Sequence, residues 1–234
     1  MSLNWPEYWA QRPRTATGDL DDLLAQVGKT QLGKPVEAAQ VDVLVEHLAG
    51  TLALTSSDRA LDLGCGNGLL TARLAPRVAE VVGLDYSAAL LEDAATHSSA
   101  PNIGYRQADL RAASAISLPP GPWTAAWSVE VVQNLDPASL VELLRFLADA
   151  MSDDMRFLAS GIPDQARIRS FYDTEERWSL HLENERNGRE QMGRWWEKAE
   201  LEDAAAQAGL SVRFVALPSS YYTAHYRTDA LFTR

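Results

Sequence analysis

Three carboxylates and three glycines in this chain are spaced as chemistry needs them. Asp62-Leu-Gly64-Cys-Gly66-Asn-Gly68 combines an acid with glycines at alternate positions. Such glycines let a backbone turn sharply and let a ligand approach main-chain N–H groups with no Cβ in the way. Asp85 follows 17 residues after Gly68 at the end of AEVVGLD, and Asp109 closes YRQADL. An acid two residues ahead of the first glycine can face a ligand ammonium, and an acid ending the next strand can accept both hydroxyls of a ribose. Each acid taken alone can equally be a helix cap; three caps beside one glycine loop is a poor explanation.

Two other glycine-loop chemistries fail on particular residues. The dinucleotide fingerprint G-x-G-x-x-G/A needs Gly or Ala at 69 or 71, where Leu69 and Thr71 stand. The phosphate loop G-x-x-x-x-G-K-[ST] has a near match in Gly28-Lys-Thr-Gln-Leu-Gly33-Lys34, but Pro35 occupies the hydroxyl position. That segment also follows a helical pattern where a strand is required, so it is read as a decoy.

The elements that must position these residues are legible from periodicity. From residue 59, short apolar runs alternate with helical stretches: RALDL, GLLTARLA, AEVVGLD, SAALLEDAA, NIGYRQ, WTAAWSV, a helix from Pro137 to about Met151, and MRFLAS. Spacings too long for hairpins imply βαβ units and a parallel sheet with helices on both faces. Asp136 is placed to cap the helix at 137, with Pro137 in its first position and Leu140, Leu143, Leu144 and Leu147 on one face. Leu20, Leu23, Leu24 and Val27, then Val41, Leu44, Val45, Leu48 and Leu52, predict two helices ahead of the sheet. LSVRFVAL and YRTDALFTR read as an antiparallel closing pair. The expected class is α/β, a doubly wound, seven-stranded, mostly parallel sheet with an antiparallel last strand.

ALDLGCGNG, VVGLDYS and RQADL resemble, in order and spacing, the first three motifs of class I S-adenosylmethionine-dependent methyltransferases. The resemblance covers about residues 37–160 and extends loosely to the closing strands. It implies S-adenosylmethionine as cofactor, with Asp62 near its amino group and Leu63, Gly64, Cys65, Gly66 and Gly68 along its methionine moiety. It further implies Asp85 on the ribose, Tyr86 stacked on adenine, Ala108, Asp109 and Leu110 at the adenine edge, and Ser128 on the following strand. WTAAWSVEVVQNL occupies the fourth-motif position and lacks the N/D/S-P-P-aromatic signature of amino-methylating nucleic-acid enzymes. It is similar to the E-V-L-E-H-V pattern of small-molecule O-methyltransferases such as the ubiquinone-pathway enzymes. Glu130 matches the leading Glu, and Asn134 stands where that pattern has His. A histidine base must then come from elsewhere: His225 and His181 are the candidates, ahead of His47 and His97, and Glu130 is the third residue expected to act in catalysis.

The resemblance implies one methyltransferase domain over 1–234. Within it, 1–55 is a helical cap, 56–160 the cofactor-binding core, 161–195 an insert over the acceptor site, and 196–234 the closing helix and strands. Trp5, Tyr8 and Trp9 in the polar N-terminal arm are expected to cover the main domain or serve as a lid. Tyr172, Tyr222, Trp195 and Trp196 are candidates for an aromatic acceptor pocket, with core or interface packing as the alternative.

Composition narrows the acceptor. The chain carries 32 acidic and 21 basic residues, a net charge of −11, and its Lys and Arg are scattered. A nucleic-acid binder needs a basic patch to displace counterions, so a small-molecule acceptor is expected, with no nucleic acid or membrane partner and a monomer or homodimer. The single Cys65 excludes an internal disulfide, no metal site is expected, and no leader-like or roughly 18-residue apolar stretch is found. A cytoplasmic setting follows as the expectation. The function expected is methyl transfer to an oxygen, or a nitrogen, of a small metabolite. A protein-directed enzyme and a non-catalytic binding module of the same fold are the competing readings.

Overall fold

The computed structural model describes residues 18–234, so the aromatic arm containing Trp5, Tyr8 and Trp9 lies outside the described residues. The first helix, α1 (Leu20–Gln26), opens with Asp21 and Asp22 in its first turn, where the helix dipole favours anions. The decoy loop is a two-residue hairpin of β1 (Thr30–Gln31) and β2 (Lys34–Pro35). Helix α2 (Ala38–Thr51) then leads into β3 (Arg59–Leu63), α3 (Leu69–Leu74), β4 (Glu80–Asp85), α4 (Ala88–His97) and β5 (Ile103–Gln107). The second half runs β6 (Trp123–Val129), α5 (Pro137–Ala150), β7 (Met151–Pro163), the short α6 (Ile168–Phe171), α7 (Glu175–Arg186), α8 (Lys198–Gln207), β8 (Ser211–Val215) and β9 (Arg227–Thr233).

The seven-stranded sheet has the order β5-β4-β3-β6-β7-β9-β8, and β9 is antiparallel to both neighbours. The chain thus builds outward from β3 to β5, returns to the centre and builds the other way. The reversal between β3 and β6 opens a crevice at the carboxyl ends of the strands. Alternation along the strands feeds two cores. Leu61, Leu63, Val82, Leu84, Phe157 and Phe232 pack on one face, chiefly with α5 and α8. Ala60, Val81, Trp127, Leu158 and Leu231 pack on the other with α1, α2 and α3. Consecutive strand residues serve opposite faces, which is why these strands read as unbroken apolar runs.

The cap at 137 is formed as its sequence specifies: Asp136 accepts from the Ser139 N–H at 2.8 Å, and Leu140, Leu143, Leu144 and Leu147 are buried. Strand β7 starts at Met151, four residues ahead of the expected MRFLAS run, and continues to Pro163, beyond that run's end at Ser160. It takes Ile162 and Pro163 into its ladder with β9. The segment 161–195 contributes the end of β7, then α6 and α7, where periodicity predicts no helix. Helix α7 was hard to see because its exposed faces are charged and Leu180 and Leu182 point to solvent. It is started by Thr174, whose hydroxyl accepts from the Arg177 N–H at 3.2 Å.

Candidate active site

The glycine loop leaves β3 at its carboxyl end and enters α3. Gly64 and Gly68 hold φ of 77° and 74°, in the left-handed region that favours glycine. A Cβ on Gly64 would collide with Val131 Cγ2, and one on Gly68 with Tyr105 Oη. Asn67 fixes the loop from outside, donating to Leu23 O at 2.8 Å and Gln26 Oε1 at 2.9 Å. Helix α1 is thereby tied to the loop.

Asp62 and Asp85 are both buried and flank this loop. Asp62 Oδ2 accepts from Thr71 Oγ1 at 2.6 Å. Burial pushes its carboxyl up to about 7, against the Thr71 hydrogen bond that favours the charged form. Asp85 accepts from the Gly66 and Ser87 N–H groups, each at 2.9 Å, so it braces the loop itself. Burial raises its carboxyl too, in part offset by those N–H donors. Neither acid pairs with a cation among the described residues. The Cys65 thiol, buried beside them, is driven well above its ordinary range by desolvation and stays protonated.

These residues line one cavity of about 1040 Å³. It takes in Asp62, Gly64, Cys65, Gly66, Asp85, Tyr86, Ala108, Asp109, Leu110, Glu130 and His181, so most residues singled out in the sequence converge there. Four do not. Leu63 belongs to the sheet core, and Ser128 is buried within β6. Gly68 caps α3, where its missing side chain gives room to Tyr105 and Ser98. His225 is exposed on the β8–β9 loop, its ring edge against Tyr226, outside the cavity lining. The expectation that it could act as base is corrected by that placement. Asp109 is in the cavity, but Arg111 engages its carboxylate at 2.9 and 2.5 Å and holds it below the usual carboxylate range. An adenine edge there meets an ion pair.

The far side of the cavity is formed by α6, α7, the turn after α7 and strand ends. His181 points inward from α7, buried, with its ring stacked on Tyr172 at 4.2 Å between centroids. Its Nδ1 lies 2.7 Å from Glu190 Oε2, supplied by the turn after α7. Its Nε2 lies 3.8 Å from Glu185 Oε2, so a carboxylate faces each ring nitrogen; a neutral ring that donates Nδ1–H to Glu190 keeps its lone pair on Nε2, the tautomer a proton acceptor requires. Glu130 sits at the end of β6 with φ of 58°. Lys29 Nζ donates to its Oε1 at 3.2 Å, and Arg227 Nη2 lies 3.7 Å from its Oε2. Burial would raise the Glu130 carboxyl, but these two cations win and hold it low. A carboxylate so stabilised is a poor base.

Sequence reasoning did not reach Lys29, Gln133, Glu190 or Arg227, all of which line the cavity. The Lys29–Glu130 pair spans 101 residues, with no local signal. The tryptophans are corrected as well. Trp196 is in the main core, and Trp195 is buried with Tyr172 and Tyr226, so neither offers an exposed interface. Of the aromatic candidates for the pocket, Tyr172 lines the cavity while Tyr222, Trp195 and Trp196 do not.

A sheet order with one reversed strand, a glycine loop at the switch point and an unpaired acid at each of the first two strand ends define a Rossmann-like methyltransferase. The sequence model described as a methyltransferase domain matches residues 60–154. A ubiquinone biosynthesis O-methyltransferase of Methylococcus capsulatus is 36% identical over 93 residues, 38% of each chain. One from Stutzerimonas stutzeri is 26% identical over 83% of this chain and 81% of its own length. The chain thus spans little more than a third of the first relative and four fifths of the second. A 23S rRNA (uracil(1939)-C(5))-methyltransferase of Pseudomonas aeruginosa is 36% identical over 44% of this chain but only 22% of its own. The magnesium protoporphyrin IX methyltransferase of Synechocystis, solved with bound S-adenosylhomocysteine, superposes with a TM-score of 0.59 at 17% identity, covering 98% of this chain and 92% of its own. Residues 60–154 thus match a methyltransferase domain, and the fold is that of S-adenosylmethionine-dependent methyltransferases.

Proposed function

We propose that the protein transfers a methyl group from S-adenosylmethionine to an oxygen of a small molecule held under α7. The observation that carries this reading is that one cavity joins two buried acids at the glycine loop to the His181–Glu190 pair. Pockets for one drug-sized ligand run about 300–1,000 Å³. At about 1040 Å³ the cavity has room for a cofactor and an acceptor together.

Asp62 would face the cofactor ammonium, whose charge satisfies a carboxylate that burial otherwise disfavours. Asp85, held in place by the Gly66 and Ser87 N–H groups, would take the ribose hydroxyls. Tyr86, Ala108 and Leu110 would border the adenine. When bound, the cofactor supplies an electrophilic methyl on a sulfonium, so the protein's tasks are positioning, exclusion of water and removal of one proton. His181 Nε2 takes the proton of the acceptor hydroxyl, while Glu190 holds Nδ1 and stabilises the imidazolium that results. Phe171, Tyr172, Leu135 and Met192 supply apolar lining. The ubiquinone-pathway relatives, named as O-methyltransferases, support oxygen as the acceptor atom. The acidic chain and the lack of clustered Lys and Arg favour a small molecule over nucleic acid.

The experiment is methyl transfer from labelled S-adenosylmethionine to a panel of phenols, catechols and hydroxy acids. Transfer to an oxygen, lost on Asp85→Ala together with at least tenfold of S-adenosylhomocysteine affinity, supports the reading. Undiminished affinity in Asp85→Ala refutes the ribose assignment.

A further inference from the structure

The cavity wall beyond Glu130 carries more positive charge than its own carboxylate balances. Lys29 and Arg227 are 6% and 3% exposed, and the one acid between them is Glu130. Lys29 Nζ donates to it at 3.2 Å and Arg227 Nη2 stands 3.7 Å from it, so one carboxylate is shared between two cations. Among the described residues Lys29 Nζ has one further hydrogen bond, 3.4 Å to Tyr221 Oη. Arg227 uses Nη1 on Gln133 Oε1 at 2.6 Å and on Gly161 O, while its buried Nε finds no acceptor among the described residues. A buried charge without its counter-ion is strongly disfavoured, and this one sits in a chain of net charge −11.

The position of the charge indicates which ligand it serves. Arg227 begins β9, separated from β3 by β6 and β7. Three strand spacings place it roughly 14 Å across the sheet from β3, on the side opposite β4 and its ribose-facing Asp85. Phe171 lines the cavity too, and its ring lies 4.6 Å from that of Tyr226, over which the Arg227 guanidinium sits at 5.1 Å.

We propose that Lys29 and Arg227 form a buried carboxylate-binding site for the methyl acceptor, which is therefore a hydroxylated aromatic acid. This rests on the methyltransferase reading and adds to it the acceptor's charge. Glu130 then keeps the two cations apart and oriented, and its own charge is the reason only one anion is admitted.

The test is calorimetry on protein saturated with S-adenosylhomocysteine, titrated with 4-hydroxybenzoate, 3,4-dihydroxybenzoate and 4-hydroxycinnamate, and with the primary amide of each. At least one acid is expected to bind tenfold or more tightly than its amide. Lys29→Met should reduce that preference at least tenfold while changing S-adenosylhomocysteine affinity by less than twofold. The wild-type comparison needs no variant: acids binding no better than amides overturn the proposal. It is also overturned if Lys29→Met leaves the acid preference intact and weakens S-adenosylhomocysteine tenfold, because the lysine then holds the cofactor's own carboxylate. Failure of wild-type protein to bind S-adenosylhomocysteine refutes the methyltransferase reading instead, and the acid–amide comparison on ligand-free protein still decides the carboxylate site.

Discussion

Cofactor affinity should depend on pH through Asp62, by an amount the structure sets. The group titrates at about 7 in the ligand-free protein, raised from 3.8 by burial. Only the ionised form attracts an ammonium, so binding below pH 7 must first expel a proton. The ionised fraction is about one in eleven at pH 6 and about ten in eleven at pH 8. S-adenosylhomocysteine should therefore bind about tenfold more tightly at pH 8 than at pH 6, with close to one proton released per cofactor at the lower pH. Calorimetry in buffers of different ionisation heat measures both. Asp62→Asn can still accept from Thr71 but cannot titrate. Its affinity should be flat across this range and about 10- to 150-fold weaker at pH 8, the worth of a hydrogen bond to a charged group at about 1.5–3 kcal/mol. Folding gives a second readout. A carboxyl whose folded pKa lies above its unfolded value opposes folding once ionised, so ligand-free protein should lose stability as pH rises from about 4 to 7. The loss attributable to Asp62 is at most about 4 kcal/mol and should vanish in Asp62→Asn. Equal wild-type affinity at pH 6 and pH 8 would refute the ammonium assignment.

Three further outcomes are expected. Gly68→Ala places a Cβ against Tyr105 Oη and 2.9 Å from Ser98 Cβ at a left-handed φ; urea unfolding should show a loss of about 2 kcal/mol or more, and a loss under about 0.5 would contradict the steric account. Glu190→Gln should lower kcat about 10- to 100-fold and shift the pH–rate profile while leaving S-adenosylhomocysteine affinity within twofold; an unchanged profile would remove Glu190 from the base. Asp58 accepts from the Thr55 N–H and Thr124 Oγ1, each at 2.7 Å, and pairs with Arg156. Asp58→Ala should cost about 3 kcal/mol by chemical denaturation, since Arg156 is left without its counter-ion in a part-buried site. Wild-type stability from this pair is present above pH 4 and fades as pH falls through the lowered Asp58 pKa.

The cofactor half of the cavity was legible in the sequence because its determinants are local. Alternating apolar runs fix the strands, and strand ends fix where Asp62 and Asp85 stand relative to Gly64 and Gly66. The acceptor half was legible only in part, because its residues meet through tertiary packing. His181 could be nominated as a histidine, but its partner Glu190 reaches it only after α7 ends and the chain turns back. His225 looked equivalent by type and lies on the surface, which only the path of the β8–β9 loop decides. Lys29 stood inside the rejected phosphate-loop match, and the hairpin that replaces that loop is what carries it to Glu130. Helix α7 escaped the periodicity search because it buries one residue, His181, and so has no apolar stripe to detect.

The central claim is tested most directly by a crystal structure with bound S-adenosylhomocysteine. The ribose is expected on Asp85, the ammonium beside Asp62 over Gly64 and Gly66, and the sulfur facing the space between Glu130 and His181. A nucleoside outside this cavity, or a sulfur turned away from His181 toward a closed wall, would contradict it.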